Sequence, residues 1–126
     1  MAKIHNVSDY PEYSAAIEEV QVRSPKIFAY FYGNEDPATK KSWCPDCVLA
    51  DPVIKEAFKN APQDLEIVRV AVGERAAWKT PDNVYRLKAK VKCIPTLIKL
   101  ENGEEAGRLE ELDCAAPEKV NSFLRS

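Results

Sequence analysis

Trp43-Cys44-Pro45-Asp46-Cys47 decides the fold, because it places two cysteines three positions apart at the start of a helix predicted over 44–60. Residues three apart on a helix are neighbours on one face, so this pair can form a short, reducible disulfide. Cys44, in the first turn, lies at the positive end of the helix dipole beside unpaired backbone N–H groups, which favour its thiolate and lower its pKa. Cys47 lies one turn further in and is expected to remain a thiol. The spacing therefore predicts that Cys44 attacks a disulfide and that Cys47 resolves the mixed disulfide.

Two other interpretations of the cysteine pair have less support. Structural zinc usually takes two such pairs or a set of Cys and His, whereas Cys93 and Cys114 are 21 positions apart and the single histidine, His5, is remote. A chance spacing is the second interpretation, since buried cysteine often acts only as a small hydrophobe. We therefore expect redox chemistry at this pair and no metal site.

Residues around the pair are expected to tune the pKa of Cys44. The carboxylate of Asp46 raises this pKa by its charge alone, whereas Lys40 and Lys41 in the preceding loop are placed to offset that effect. Pro45, the other residue between the cysteines, belongs to the same predicted set. The sign of the net shift stays open from the sequence alone.

Composition limits what else the chain can do. It has 126 residues, a mass of 14.2 kDa, 45% hydrophobic residues, and 18 Lys plus Arg against 20 Asp plus Glu. This length predicts a single domain over residues 1–126. Because the charge is nearly balanced and basic residues are spread along the chain, nucleic acid and anionic membranes are poor candidate partners. Four cysteines are also too few for a secreted disulfide scaffold.

The first residues do not predict export. Residues 1–10 lack the apolar core of a signal peptide, and the acidic Asp9 and Glu12 argue against a transit peptide. The longest apolar run, Ile27 to Tyr32, has six residues, far fewer than the roughly 20 that span a bilayer. We therefore expect a cytoplasmic protein without a membrane segment.

Hydrophobic periodicity and turn residues predict the element order β-α-β-α-β-α-β-β-α. Strands are expected at 3–7, 27–32, 65–72, 96–101 and 105–110, longer helices at 9–22, 44–60 and 117–125, and one short helix before residue 90. The run from Ile27 to Tyr32 is apolar on both faces, which predicts a central strand that is buried on both sides. Asn102-Gly103 predicts a tight turn that pairs the last two strands antiparallel.

A second motif, Ile94-Pro95-Thr96, comes directly before a predicted strand. Proline is tolerated at the first residue of a strand, because that position need not donate to the ladder. Together with Cys44 and Cys47 and the order of elements between them, this motif resembles the thioredoxin superfamily, in which a cis-proline loop packs beside the Cys-x-x-Cys pair. The resemblance implies an α/β thioredoxin fold, with a central mixed β-sheet flanked by helices on both faces, and it makes Pro95 the cis-proline.

A narrower resemblance is to the thioredoxin domain-containing protein 17 family, also called the 14 kDa thioredoxin-related proteins. It is carried by Ser42 to Cys47, the longer loop from Asn34 to Lys41, Gly73-Glu74, and Trp78-Lys79-x-Pro81-x-Asn83-x-x-Arg86. This resemblance implies a cytosolic oxidoreductase that binds no cofactor itself and is reduced by thioredoxin reductase at the expense of NADPH. The implied substrates are small disulfides such as cystine, together with selected modified thiols of client proteins.

The resemblance also implies roles for single residues. By position, Cys44 is the nucleophile and Cys47 is the resolving thiol. Trp43 is expected to be a substrate-facing lid, and a disulfide substrate would lie against the backbone of Ile94 with its sulfur near Cys44. Cys93, directly before Ile94, is either a regulatory thiol or a residue without a role.

One departure from thioredoxin concerns proton transfer. Thioredoxin has a buried aspartate in the strand before the active-site helix, near the position that Tyr30 occupies in this sequence. A tyrosine whose pKa is about 10 cannot act as a base at neutral pH. The proton acceptor for Cys47 is therefore open between Asp46, water and the leaving thiolate.

Two alternative functions also stay open. A glutaredoxin-like reductase would use the same Cys-Pro-x-Cys pattern but would draw its electrons from glutathione. A non-enzymatic redox sensor or adaptor would bind partners in a manner that depends on oxidation, without turnover.

Overall fold

The computed structural model describes residues 2–126. The strand that the sequence predicts at the centre of the sheet is the central strand of the structure. This strand, β2 (Lys26–Tyr32), pairs in parallel with β3 (Glu66–Ala71) and antiparallel with β4 (Thr96–Glu101). β1 (Lys3–Val7) pairs in parallel with β3, and β5 (Glu104–Glu110) pairs antiparallel with β4. The result is a five-stranded mixed sheet with the order β1-β3-β2-β4-β5.

Helices cover both faces of the sheet, because both faces of β2 are apolar. They are α1 (Tyr10–Gln21), α2 (Pro45–Asn60), the short α3 (Arg75–Lys79) and α4 (Val84–Lys88), and α5 (Pro117–Leu124), which follows a 3-10 turn at Glu111–Ala115. On one face, Tyr30 packs edge-on against Phe58 of α2, with 6.0 Å between ring centroids. On the other face, Phe31 packs against Tyr13 of α1 and Tyr85 of α4 at 5.5 and 6.0 Å.

The predicted strands and longer helices are confirmed to within one residue at each bound. The stretch before residue 90 differs, because it contains two short helices where one was predicted. Pro81 separates them, since it has no N–H to continue α3, and Asn83 then caps α4 by accepting a hydrogen bond from the Tyr85 N–H at 2.9 Å. The Asn102-Gly103 turn is also confirmed, with positive φ angles of 54° and 84°. No helix within residues 2–126 is long and apolar enough to cross a membrane.

Candidate active site

The loop before α2 is fastened to the ends of two strands. The Ser42 hydroxyl donates to the carbonyl of Gly33, directly after β2, at 2.7 Å and accepts from the Cys44 N–H at 3.1 Å. The Trp43 indole N–H donates to the carbonyl of Gly73, two residues after β3, at 2.9 Å. These bonds hold Cys44 at the edge of the sheet where β2 and β3 end.

The ring of Trp43 packs closely against the backbone of Gly33. A Cβ atom on residue 33 would lie 2.7 Å from the indole ring, so the contact requires glycine. The guanidinium of Arg75 lies over the same ring, 5.0 Å from its centroid, and donates to the Trp43 carbonyl at 3.2 Å. Trp43 is therefore held beside Cys44 by contacts with two separate segments of the chain, one after β2 and one after β3.

Cys44 is the N-cap residue of α2. Its sulfur accepts a hydrogen bond from the Cys47 N–H at 3.2 Å, and its side chain is buried. Pro45 follows in the first turn of α2, where the missing N–H costs no helical hydrogen bond. The sequence predicts Cys44 within the first turn, whereas the structure places it one position earlier, at the N-cap. There its sulfur can accept hydrogen bonds from the free N–H groups of the first turn.

The pKa of the Cys44 thiol is lowered to about 7. The largest cause is hydrogen bonding from the Cys47 side chain, and the backbone N–H groups of Cys47 and Asp46 add to it. Burial and the carboxylate of Asp46 oppose the lowering of this pKa. At neutral pH about half of Cys44 is therefore the reactive thiolate.

The largest compensation for the charge of Asp46 comes from hydrogen bonding to the Cys44 sulfur. Lys40 and Lys41 are not among the largest causes that lower the pKa of Cys44, and both line the cavity that Cys47 lines, so their predicted effect stays a prediction. Hydrogen bonding at the start of α2 acts at much shorter range than these exposed lysines. The predicted effect of Asp46 itself, which raises this pKa, is confirmed.

Cys47 and Tyr30 both stay protonated at neutral pH. The pKa of Cys47 is raised, first by its hydrogen bond to the Cys44 side chain and then by burial. Burial likewise raises the pKa of Tyr30, which confirms that this side chain is no base for Cys47. The pair thus combines one thiol that ionises readily with one that requires a proton acceptor.

The Ile94-Pro95-Thr96 motif packs against the Cys44 end of the cysteine motif. The peptide bond between Ile94 and Pro95 is cis, as predicted, and the Ile94 carbonyl lies 3.8 Å from the Cys44 sulfur. Cys93 is half-buried, with its sulfur 3.7 Å from the Thr96 hydroxyl, and burial raises the pKa of its thiol. A regulatory role for Cys93 stays a prediction, and its raised pKa disfavours it.

All four cysteines are free thiols. Cys114 is fully buried, and burial raises its pKa to about 12, so it is an inert part of the core. Across residues 2–126 there is no group of three or more His, Cys, Asp or Glu residues that could hold a metal ion.

A groove of about 330 Å³ opens beside Cys44. Its lining includes Trp43, Cys44, Pro45, Asp46 and Ile94. It also includes four cationic side chains, those of Arg75, Lys79, Arg86 and Lys92. Arg86 stacks 3.9 Å from the centroid of the Trp78 ring and donates to the Trp78 carbonyl at 2.8 Å. Asp46 adds one carboxylate to this lining, so positive charge prevails around the groove.

A second cavity, of about 170 Å³, is lined by Cys47 and shares no lining residue with the groove beside Cys44. Sequence reasoning missed the charged residues that share this lining with it, Glu35, Asp51 and Arg69. The sequence holds a signal for two of these three residues. Asp51 lies four positions after Cys47 and so on the same helix face, and Arg69 is a charged residue within an apolar strand.

The fold and the dithiol site define a thioredoxin-type redox protein. Among solved structures, oxidised thioredoxin O2 from Arabidopsis thaliana is similar with a TM-score of 0.67 at 22% identity, covering 99% of this chain and 96% of that one. Thioredoxin from Schistosoma mansoni is similar with a TM-score of 0.66 at 20% identity, covering 98% and 94%. At these identities the likeness establishes the thioredoxin fold.

Sequence relatives define the family more narrowly. Residues 6–126 match the family model for the thioredoxin domain of thioredoxin domain-containing protein 17-like proteins. Thioredoxin domain-containing protein 17 of Mus musculus is 39% identical over 126 residues, which is 98% of each chain. The thioredoxin-like protein Clot of Arabidopsis thaliana is 35% identical over 104 residues, or 81% of this chain and 78% of the relative. The chain belongs to the thioredoxin domain-containing protein 17-like family. Membership of this family supports the interpretation of the chain as a thiol oxidoreductase.

Proposed function

We propose that this protein is a cytoplasmic dithiol-disulfide reductase that acts on small disulfides, such as cystine, and on selected modified protein thiols. The Cys44 thiolate attacks one substrate sulfur, the substrate disulfide breaks, and the first half leaves as a thiolate. Cys47 then attacks the Cys44 sulfur, which releases the second half and leaves a Cys44–Cys47 disulfide. The observation that carries this proposal is the lowered pKa of Cys44, about 7, beside a Cys47 thiol that stays protonated until it is needed.

The oxidised pair must then be reduced again by another protein. Thioredoxin reductase is the proposed donor, and it would pass two electrons from NADPH to the Cys44–Cys47 disulfide. The chain needs no bound cofactor for this cycle, because both reacting sulfurs are its own. One domain, residues 1–126, would carry all of these steps.

The groove beside Cys44 supports a small disulfide as substrate. Its volume of about 330 Å³ suits a compact ligand, and Trp43 and the Ile94 backbone line it together with the nucleophile. We propose Trp43 as the lid over the bound disulfide and Ile94 as its backbone contact. Because cationic side chains prevail in the lining, substrates that carry carboxylates are favoured over cationic ones.

The test is reduction of cystine by the purified protein with NADPH and catalytic thioredoxin reductase, followed as NADPH consumption. We expect turnover that requires the protein and is lost in Cys44→Ser. Turnover with glutathione and glutathione reductase, but not with thioredoxin reductase, would instead establish the glutathione-dependent alternative. Binding of partners that depends on oxidation, with no turnover in either system, would establish the sensor or adaptor.

A further inference from the structure

The resolving step leaves a proton without an assigned destination. Cys47 is buried and its pKa is raised, so it must lose its proton as it attacks the Cys44 sulfur. Tyr30, at the place where thioredoxin has an acid, is itself protonated. Asp46 lines the groove beside Cys44 and is not part of the lining of the cavity that Cys47 lines. The cavity of about 170 Å³ that Cys47 lines has room for water, and its lining includes two carboxylates, those of Glu35 and Asp51, that are further candidates beside the leaving thiolate.

Asp51 is the carboxylate that α2 itself presents to this cavity. It lies one helical turn after Cys47, on the same face, and both residues line the cavity. The volume of about 170 Å³ is enough for several water molecules, and its polar lining gives them partners. The side chain of Asp51 is 32% exposed, so a proton that reaches it can pass on to solvent.

Two cationic side chains lie beside the Asp51 carboxylate. Its Oδ1 lies 3.9 Å from Arg69 Nη2, and its Oδ2 lies 3.0 Å from Lys55 Nζ. Arg69 is itself fixed, because it donates to the Tyr32 hydroxyl at 2.9 Å and to Glu35 Oε2 at 3.4 Å. The other titratable groups that face the cavity are Tyr30, Lys40 and Lys41.

We propose that Asp51 accepts the Cys47 proton, through water in this cavity, while Cys47 resolves the mixed disulfide. The sulfur of Cys47 supplies the electron pair of the new bond to Cys44, and the bond between Cys44 and the substrate sulfur breaks. The substrate half leaves as a thiolate, and the proton of Cys47 moves to the Asp51 carboxylate and then to solvent. This inference rests on the proposed two-step function and assigns the proton acceptor of its second step.

The experiment is stopped-flow reaction of the reduced protein with 5,5′-dithiobis(2-nitrobenzoate), in a Cys93→Ser background. The first nitrothiobenzoate is released by Cys44 attack and the second by Cys47 resolution, so one trace separates the two steps. In Asp51→Asn we expect the second phase to slow roughly 100-fold at pH 7, the lower end of what a general base contributes, with the first phase unchanged. The deficit should shrink as pH rises, because hydroxide replaces the carboxylate, and Asp51→Glu should restore much of the rate.

Two variants separate proton transfer from structure. Lys55→Gln removes the same ion pair on α2 but keeps the carboxylate, and its second phase should stay near the unmodified rate. Glu35→Gln tests the other cavity carboxylate and should have a smaller effect than Asp51→Asn. A second phase that is unchanged in Asp51→Asn, or slowed more by Glu35→Gln, overturns the assignment to Asp51. If the Cys93→Ser protein with Asp51 intact shows no first phase, Cys44 is not the nucleophile. That result would contradict the proposed function and not only the role of Asp51.

Discussion

At the scale of single residues, the reactivity of the site depends on which groups surround the Cys44 sulfur. Its position as N-cap lets it accept the Cys47 N–H at 3.2 Å, while the Cys47 side chain also donates to it. The sequence predicts which cysteine is the more acidic, because the start of a helix is a local feature. It does not predict the net pKa, because that depends on hydrogen bonds and burial that only the folded chain has.

The pH dependence of Cys44 alkylation follows from this arrangement. Because only the thiolate reacts, the rate of alkylation by iodoacetamide should rise with pH through an inflection near 7 and then level off. Cys47→Ala removes the thiol that donates to Cys44 and should move the inflection to higher pH. Asp46→Asn removes an opposing carboxylate and should move it to lower pH. An inflection near 8.5, the value of an ordinary cysteine, would contradict this account of the site.

Gly33 is a second residue whose surroundings constrain the active site, because the Trp43 ring packs against it. In Gly33→Ala the new Cβ would lie 2.7 Å from the Trp43 ring, so the indole must move away from Gly73 and Cys44. Overpacking of this kind should lower the free energy of unfolding by about 1–3 kcal/mol and change the tryptophan fluorescence. Denaturant unfolding measures the first effect, with Ala38→Ser in the exposed loop as a control. Unchanged stability and fluorescence would mean that the ring contact is not a constraint.

At the scale of elements, α3 and α4 supply much of the positive charge around the active-site groove. Arg75 and Lys79 lie on α3, Arg86 lies on α4, and Lys92 follows α4 in the loop that leads to the cis-proline. The sequence predicts that a helix is present here but not that Pro81 divides it. The family resemblance singled out Trp78, Lys79 and Arg86, but their convergence on Cys44 depends on how these two helices pack.

Charge selectivity tests the role of this segment. We expect the protein to reduce 3,3′-dithiodipropionate, a dianion, faster than cystamine, a dication of similar size. Lys79→Gln combined with Lys92→Gln should reduce this preference roughly 3- to 10-fold in kcat/KM, the size expected for two exposed charges. High salt should weaken the preference in the same way. Equal rates for both probes at low salt would show that the cationic lining does not select substrates.

At the scale of the whole molecule, the order of strands brings distant parts of the sequence to one site. The hydrophobic pattern predicts a buried central strand, and the family resemblance predicts a mixed sheet, but periodicity alone gives no strand order. That order places Arg69 of β3 beside Asp51 of α2, which are 18 positions apart in the chain. The cavity on the Cys47 side could therefore be found only in the folded structure, although Cys44, Cys47 and Pro95 could be identified beforehand.

Glu66 of β3 connects several elements near the other end of the sheet. Its side chain is 2% exposed and accepts from Arg23, just after α1, at 3.2 Å, while His5 of β1 lies 2.7 Å away. Burial alone would raise the pKa of Glu66, but the hydrogen bonds from His5 and Arg23 lower it overall. This carboxylate therefore stabilises the fold above the pKa of about 4.3 that it has when unfolded, and the contribution is lost as pH falls through the lower folded value.

Glu66→Gln should accordingly lower the free energy of unfolding by about 1–3 kcal/mol at pH 7, because polar partners lose a charged acceptor. The difference between the two proteins should shrink at pH 3, because the stabilisation by the ionised carboxylate is progressively lost below the unfolded pKa of about 4.3. Urea denaturation at the two pH values measures both effects. A difference that is the same at both pH values would show that the ionised form of Glu66 has no special part in stability.

The most direct test of the central claim is to trap the mixed disulfide. Cys47→Ser retains the proposed nucleophile but cannot complete the second step, so incubation with cystine should leave one cysteinyl group attached to Cys44. Peptide mapping by mass spectrometry identifies the modified residue, and Cys44→Ser serves as the paired variant. The account predicts an adduct on Cys44 in Cys47→Ser and no turnover of cystine in Cys44→Ser. An adduct found on Cys93 in place of Cys44, or turnover that persists in Cys44→Ser, would contradict it.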